Sequence, residues 1–291
     1  SVTLRWLGFL LAVASLPLAA AENWPGFRGP TRQGVSSETG LPLRWSRTEN
    51  VVWKTPVPGA GWSSPIVWGD RIFLTAAKGD GEACHVLAFD AADGRLLWDR
   101  HVFDQAVLQK RQQNSYASPT PVTDGERVYA VFGEGGIAAL DFDGNVLWKT
   151  QEFRFFSEHG LGASPILFED LLIMVFDPSS RDAREEKVGW KVPWDGAAIW
   201  ALDKRTGKRV WEGKRGLSRL AHVTPNQMEA GGKPQLITGA GDVVQGFDPR
   251  SGERLWSVYS QGEGVVPAIV VGGGLAYSIS GFEATTIRAV A

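Results

Sequence analysis

The sequence predicts an all-β chain folded as a β-propeller of four-stranded antiparallel blades, four of them complete and a fifth partial. Three observations carry this. An Asp, a Gly and a Trp recur at near-constant spacing: Asp90/Gly94/Trp98, Asp141/Gly144/Trp148, Asp203/Gly207/Trp211 and Asp248/Gly252/Trp256. Each copy is preceded by short apolar runs separated by turn residues. The 291 residues include 35 Gly and 16 Pro and show no long amphipathic helical pattern, which favours many short strands and turns.

Each motif copy reads as a hairpin. An apolar strand (Val86 to Phe89, Ile137 to Leu140, Ile199 to Leu202, Val243 to Phe247) ends at the Asp, and the Gly allows a tight turn at positive φ. The Trp then lies on the returning strand, placed for packing between blades. Two further strands precede each copy. The first begins at Pro65, Pro121, Pro165, Pro225 or Pro267, after a small residue or Val, and the second covers 71–77, 127–132, 171–176, 234–238 or 275–280. Each unit is thus a meander A-B-C-D. Successive motif Trp residues lie 50, 63 and 45 positions apart, near the ~40 to 50 residues of a propeller blade. Stacking blade on blade covers both faces of each sheet.

The ends are less regular. Residues 1–21 read as a secretory signal peptide, because Arg5 leads an apolar stretch that runs into Ala19-Ala20-Ala21 before polar Glu22-Asn23. The run falls short of the ~20 apolar residues of a spanning helix, so no membrane span is expected after cleavage. The chain is expected to be exported, to the periplasm or beyond, and its lone Cys84 can form no internal disulfide. Residues 22–50 read as an extended lead segment and 51–291 as the incomplete propeller. Val51-Val52-Trp53-Lys54 resembles a D strand without its own A, B and C, whereas 285–291 looks like a C strand without its D. The chain then reads as part of a seven- or eight-bladed ring, although pairing of 51–54 with 285–291 would close five blades.

The pattern of Ala or Gly, an apolar residue, Asp, a Gly turn and Trp resembles the tryptophan-docking repeat of the pyrroloquinoline quinone (PQQ)-like β-propeller family. That family includes quinoprotein dehydrogenases and the propeller lipoprotein of the outer-membrane barrel assembly machinery, BamB. The segment Asn23-Trp24-Pro25-Gly26-Phe27-Arg28-Gly29-Pro30 is similar to the opening of its secreted members. The resemblance leaves two roles open. A PQQ-dependent oxidoreductase would need a quinone site, Ca²⁺ on carboxylate and amide oxygens, a catalytic Asp and often a disulfide of adjacent cysteines. No Cys pair is present and no Ca²⁺ ligand set matches residue by residue, so no catalytic, cofactor or metal residue is assigned. PQQ and calcium belong only to the enzyme alternative, with its active site in further blades.

Other chemistry is thin. Gly133 to Ala138 matches a G-x-G-x-x-A fingerprint, yet a strand and not a helix follows, so it reads as a hairpin turn. A net charge of −2 gives no basic footprint for nucleic acid. His85, His101, His159 and His222 lack metal-ligand spacing; His159 and His222 read as loop residues that could converge. The long connections, 104–118, 153–163, 177–195 and 214–222, are all D-to-A or B-to-C and so lie at one end of the blades. They carry Lys110, Arg111, Tyr116, Arg154, Phe155, His159, Arg181, Arg184, Trp190, Trp194, Arg215, Arg219 and His222. Arg and aromatic residues on long loops favour binding, and the alternative is a solvated, charge-rich insertion at 177–195 with Trp190 at the surface. The expected function is a non-catalytic binding or assembly scaffold with a protein or glycan partner on this face, the further alternative beside the enzyme being a carbohydrate- or peptide-binding module that uses the same face.

Overall fold

The computed structural model describes residues 22–181, 188–259, 266–281 and 284–291. The expected signal peptide and Arg184 lie outside the described residues. Nineteen strands among them form five antiparallel sheets, each a meander in chain order. The first blade is β1 (Ile66–Trp68), β2 (Arg71–Lys78), β3 (Ala83–Asp90) and β4 (Leu96–Asp104). The second is β5 (Val122–Thr123), β6 (Arg127–Val131), β7 (Ile137–Asp141) and β8 (Val146–Thr150). The third is β9 (Ile166–Phe168), β10 (Leu171–Phe176), β11 (Ala198–Asp203) and β12 (Arg209–Lys214). The fourth is β13 (Asn226–Ala230), β14 (Lys233–Gly239), β15 (Val243–Phe247) and β16 (Arg254–Tyr259). The fifth has three described strands, β17 (Val270–Gly272), β18 (Leu275–Ser280) and β19 (Thr286–Val290). No described helix is long and apolar enough to cross a membrane.

Alternating side chains on the B and C strands explain why these strands read as nearly continuous apolar runs. From β6, Val128 and Ala130 join Phe73, Val86 and Ala88 of the first blade, while Tyr129 and Val131 join Leu172, Met174 and Trp200 of the third. The third and fourth blades share Ile173, Ile199, Leu236 and Phe247, and the fourth and fifth share Ile237, Val244, Ile269 and Ala276. The core is therefore a series of seams between blades. Cys84 lies in the first seam, where burial raises its thiol pKa.

The repeated Trp fastens each seam at its outer rim. Its Nε1–H donates to a carbonyl in the next blade's C-D turn: Trp98 to Phe142 at 2.8 Å, Trp148 to Lys204 at 3.0 Å and Trp211 to Pro249 at 3.2 Å. The turn Gly serves twice. It takes φ of 82°, 71° and 74° at Gly144, Gly207 and Gly252, and a Cβ there would sit 2.8, 2.4 and 2.4 Å from Trp98, Trp148 and Trp211. The Asp carboxylate orders the same turn by accepting backbone N–H groups, as Asp203 Oδ1 does from Arg205 and Thr206. Opposite each Trp stands a small residue, Ala88, Ala139, Ala201 or Gly246, and a register shift follows it in each of the first four blades. Trp211 is buried and the other motif rings are partly covered.

Val51–Lys54 corrects the sequence reading. It is not a strand, Val52 is 89% exposed, and no ladder joins it to β19 among the described residues. A D strand needs a C-strand edge, and this segment has none. It is held through Trp53 instead, whose Nε1–H donates to Ala91 O at 3.0 Å and whose ring covers Gly94 as the other rings cover their glycines. The five-blade closure is not formed. Trp256, at the other end of the series, donates to Gln235 Oε1 within its own blade.

Two devices tie the inner edges of the blades. Backbone N–H groups donate to a neighbouring blade's hydroxyl: Ser64 to Thr120 Oγ1 (3.0 Å), Thr120 to Ser164 Oγ (3.0 Å) and Ser164 to Thr224 Oγ1 (2.9 Å). The series stops at Val266, which has no hydroxyl. The lead segment crosses the same edges. Trp24 pairs with Val67, Pro25 O accepts from Thr123 N, Arg32 donates to Gln227 Oε1 and Gln33 donates to Val271 O.

Two substitutions test the rim fastening. Trp148→Ala is expected to cost about 3–5 kcal/mol, the range for truncating a packed aromatic. Gly207→Ala is expected to cost about 1–3 kcal/mol from its strained backbone alone, and the two effects should fall short of additive because each removes the same contact. Urea unfolding of the single and double variants measures this, and full additivity would contradict the shared contact.

Candidate functional site: an inner cleft under the long loops

The long loops interlock. Asn114, in the loop after β4, donates from Nδ2 to His159 O at 2.8 Å, tying it to the loop after β8. Ser179 N donates to Phe156 O, and Trp194 forms a two-way backbone bridge with Ser218, so the insertion at 177–195 is pinned on both sides. At its root Asp177 meets Arg215 at 3.3 Å, with side chains 2% and 0% exposed. Burial pushes the Asp177 carboxyl up to about 6 against the pull of Arg215, and lowers the pKa of Arg215 itself. Arg215 O also accepts from Gln245 Nε2 and Arg254 Nη1.

Beneath these loops lies a cleft of about 440 Å³ that includes Arg111, Asn114, His159 and His222 in its lining. Thr120, Ser164 and Thr224 of the hydroxyl series form part of its wall, and Phe27 of the lead segment also borders it. Among the described residues no carboxylate lines it. The Arg111 guanidinium lies over the Trp190 ring at 5.5 Å, the His159 ring meets Trp190 edge-on at 4.8 Å, and the His159 and His222 centroids are 6.0 Å apart. Gly162 gives His222 its place, since a Cβ there would come within 3.1 Å of that side chain. Burial holds both imidazoles towards the neutral form. Arg111 adds to this at His159, and His159 adds to it at His222, which is pushed down to about 4.

The residues expected on the binding face separate into groups. Arg111, His159, Trp190 and His222 converge, and Arg219 supports them by donating from Nε to Trp190 O at 2.8 Å. Lys110 lies over the Tyr116 ring at 5.1 Å, and both border a neighbouring hollow with Gly79–Gly81. Arg154 pairs with Glu134 at 3.3 Å, Arg181 lies over the Phe156 ring at 5.2 Å, and Trp194 donates to Pro178 O. Arg215 and Phe155 are buried and present nothing to a partner, which corrects their reading as loop-surface residues. Trp190 is likewise no free surface ring. Gly133–Gly136 forms the hairpin between β6 and β7. Asn114 and the hydroxyls were not singled out by sequence reasoning, although Ser or Thr before the strand-opening Pro was their signal.

The donor set does not fit the calcium of a quinoprotein site. Ca²⁺ is held by several oxygens, usually including carboxylates, and this cleft offers imidazoles, a guanidinium, amides and hydroxyls. The described residues gather no group of three or more His, Cys, Asp or Glu able to hold a metal ion.

The neutral imidazoles give a pH test. His222 folded has a pKa below its unfolded value near 6.5, so the unfolded chain binds more protons between the two values. Stability is therefore expected to be lost as pH falls from about 6.5 towards about 4. Urea unfolding at pH 7, 6 and 5 should show a shallower fall in the variant His222→Gln than in the parent chain. An equal fall would contradict the assignment.

No curated protein sequence matches the chain. Among solved structures, the quinohemoprotein alcohol dehydrogenase of Comamonas testosteroni matches with a TM-score of 0.59 at 13% identity, covering 90% of this chain and 46% of its own. The quinohemoprotein alcohol dehydrogenase ADHIIG of Pseudomonas putida HK5 gives 0.52 at 14%, covering 88% and 45%. BamB of Moraxella catarrhalis gives 0.42 at 14%, covering 79% and 72%. The chain thus spans about half the length of the two dehydrogenases, and the likeness shows the fold. The family model described as outer membrane protein assembly factor BamB matches residues 31–154 and 112–268, and the chain belongs to this family of PQQ-like β-propellers.

Proposed function

We propose that this chain acts as a non-catalytic binding scaffold of the exported cell envelope, engaging a protein partner through the long-loop face. The carrying observation is the interlocked loop face itself, where Arg111, His159 and His222 from three loops line one cleft and Trp190 of the insertion packs against Arg111 and His159. Arg and Trp on a rigid scaffold supply the contacts that dominate interfaces. The family description as an assembly factor agrees with this reading. Export rests on the signal-peptide pattern of 1–21.

A second reading, a PQQ-dependent oxidoreductase, has one observation in its favour, the fold likeness to two quinohemoprotein alcohol dehydrogenases. Under this reading the active site lies in further blades, and the described lining of the cleft supplies no carboxylate for a calcium ion. A glycan partner has no specific observation to favour it.

One pair of measurements separates the readings. The purified protein given PQQ and Ca²⁺ is expected to retain no quinone absorbance after dialysis and to reduce no dye. A photo-crosslinking side chain at Gln113, at the cleft, is expected to yield a discrete adduct with an envelope protein, and one at Lys208, in the C-D turn of the third blade, none. Calcium-dependent dye reduction, or equal adducts from both positions, would overturn the scaffold reading.

A further inference from the structure

The cleft is unusual in its hydrogen-bonding inventory. Thr120, Ser164 and Thr224 are 2%, 2% and 5% exposed. Each hydroxyl oxygen already accepts a backbone N–H from the neighbouring blade. What a hydroxyl in that position has left is chiefly its O–H donor, and none of the three donates to another described residue. His159 Nδ1 is a buried ring nitrogen without a hydrogen-bond partner. The Arg111 guanidinium has no ion-pair partner among the described residues, and Trp190 steadies it from one side.

These groups select the charge of an occupant. Among the described residues of the wall donors predominate, the one full charge belongs to Arg111, and there is no Asp or Glu. A cation would meet a guanidinium and no counter-charge. A metal would find two imidazoles and, among the described residues, no third His, Cys or carboxylate. An oxyanion finds a planar fork suited to two oxygens, with further N–H and O–H donors around it. One positive charge beside imidazoles held neutral balances one negative charge, which favours a carboxylate over a doubly charged phosphate.

We propose that the inner cleft is a carboxylate-binding site, in which Arg111 pairs with the carboxylate while His159, His222 and the hydroxyls of Thr120, Ser164 and Thr224 surround it. The carboxylate belongs either to an acidic side chain of a peptide or to a free organic acid. The assignment deepens the scaffold reading by naming what the loop face would recognise. It can be tested apart from that reading, because its probes are small molecules and need no envelope partner.

The test follows the His159 and His222 imidazole signals by NMR at pH 7 while probes are added to the whole chain. Four probes are used: a short C-terminally amidated peptide carrying Glu, its twin carrying Gln, succinate and inorganic phosphate. Saturable shifts of both signals are expected with the Glu peptide or with succinate, and binding at least tenfold weaker with the Gln twin. The tighter of the two carboxylate probes identifies the source. Arg111→Gln should weaken binding at least tenfold without changing the melting temperature, whereas Arg154→Gln, whose guanidinium pairs with Glu134 outside the cleft, should leave it unchanged. Equal binding of the Gln twin, tighter binding of inorganic phosphate, equal losses in the two Arg variants, or no shift at millimolar probe would each overturn the proposal.

Discussion

Everything distinctive about this molecule depends on one blade's Trp lying on the next blade's turn. A single four-stranded meander has two apolar faces and cannot cover either alone. The docking of Trp98, Trp148 and Trp211 onto Gly144, Gly207 and Gly252 fixes the angle at which successive sheets meet. It does so with an N–H donor aimed at a turn carbonyl and a flat ring against a residue that has no side chain. The seams of Phe, Val, Leu and Ile then fill in the space that the docking defines. Trp53 shows that the contact does not need a strand behind it, since it docks on Gly94 from an unpaired segment.

The rim contact also builds the cleft, although no motif Trp touches it. With the outer edges fastened, the inner edges come close enough for Ser64, Thr120 and Ser164 to donate their N–H groups across blade boundaries. The loops that spring from those edges are brought together, and Asn114 fixes the loop that carries His159. The Asp177 and Arg215 pair roots the insertion that carries Trp190. A buried ion pair of this kind specifies an arrangement more than it stabilises one, and here the arrangement is the placement of a loop.

The sequence made the blades legible because they repeat. Four aligned copies of Asp, Gly and Trp outvote any local ambiguity, and period-two alternation supplies the strands between them. Where the repeat ends, the reading weakens. Val51–Lys54 has the composition of a D strand, yet strand formation depends on an available neighbouring edge, which composition does not report. The site was legible only in outline. The bias of long loops to one end follows from meander topology and could be read directly. The meeting of His159 with His222 could not, since it depends on the rotation between two blades. Arg215 looks like any loop arginine until Asp177 and Thr238 from neighbouring elements enclose it. The hydroxyl series was written in the sequence as Ser-Pro and Thr-Pro, but only the cross-blade hydrogen bonds show why a hydroxyl stands there.

The central claim is that rim docking organises both the seam and the inner cleft. Amide hydrogen exchange on Trp148→Phe tests it most directly, because Phe removes the N–H donated to Lys204 O and shortens the ring that lies on Gly207. The account predicts faster exchange at the turn 203–208 and, with it, in the loop 157–164 that positions His159, while the seam between the first and second blades keeps its protection. Faster exchange confined to the turn, or spread evenly over all blades, would contradict it.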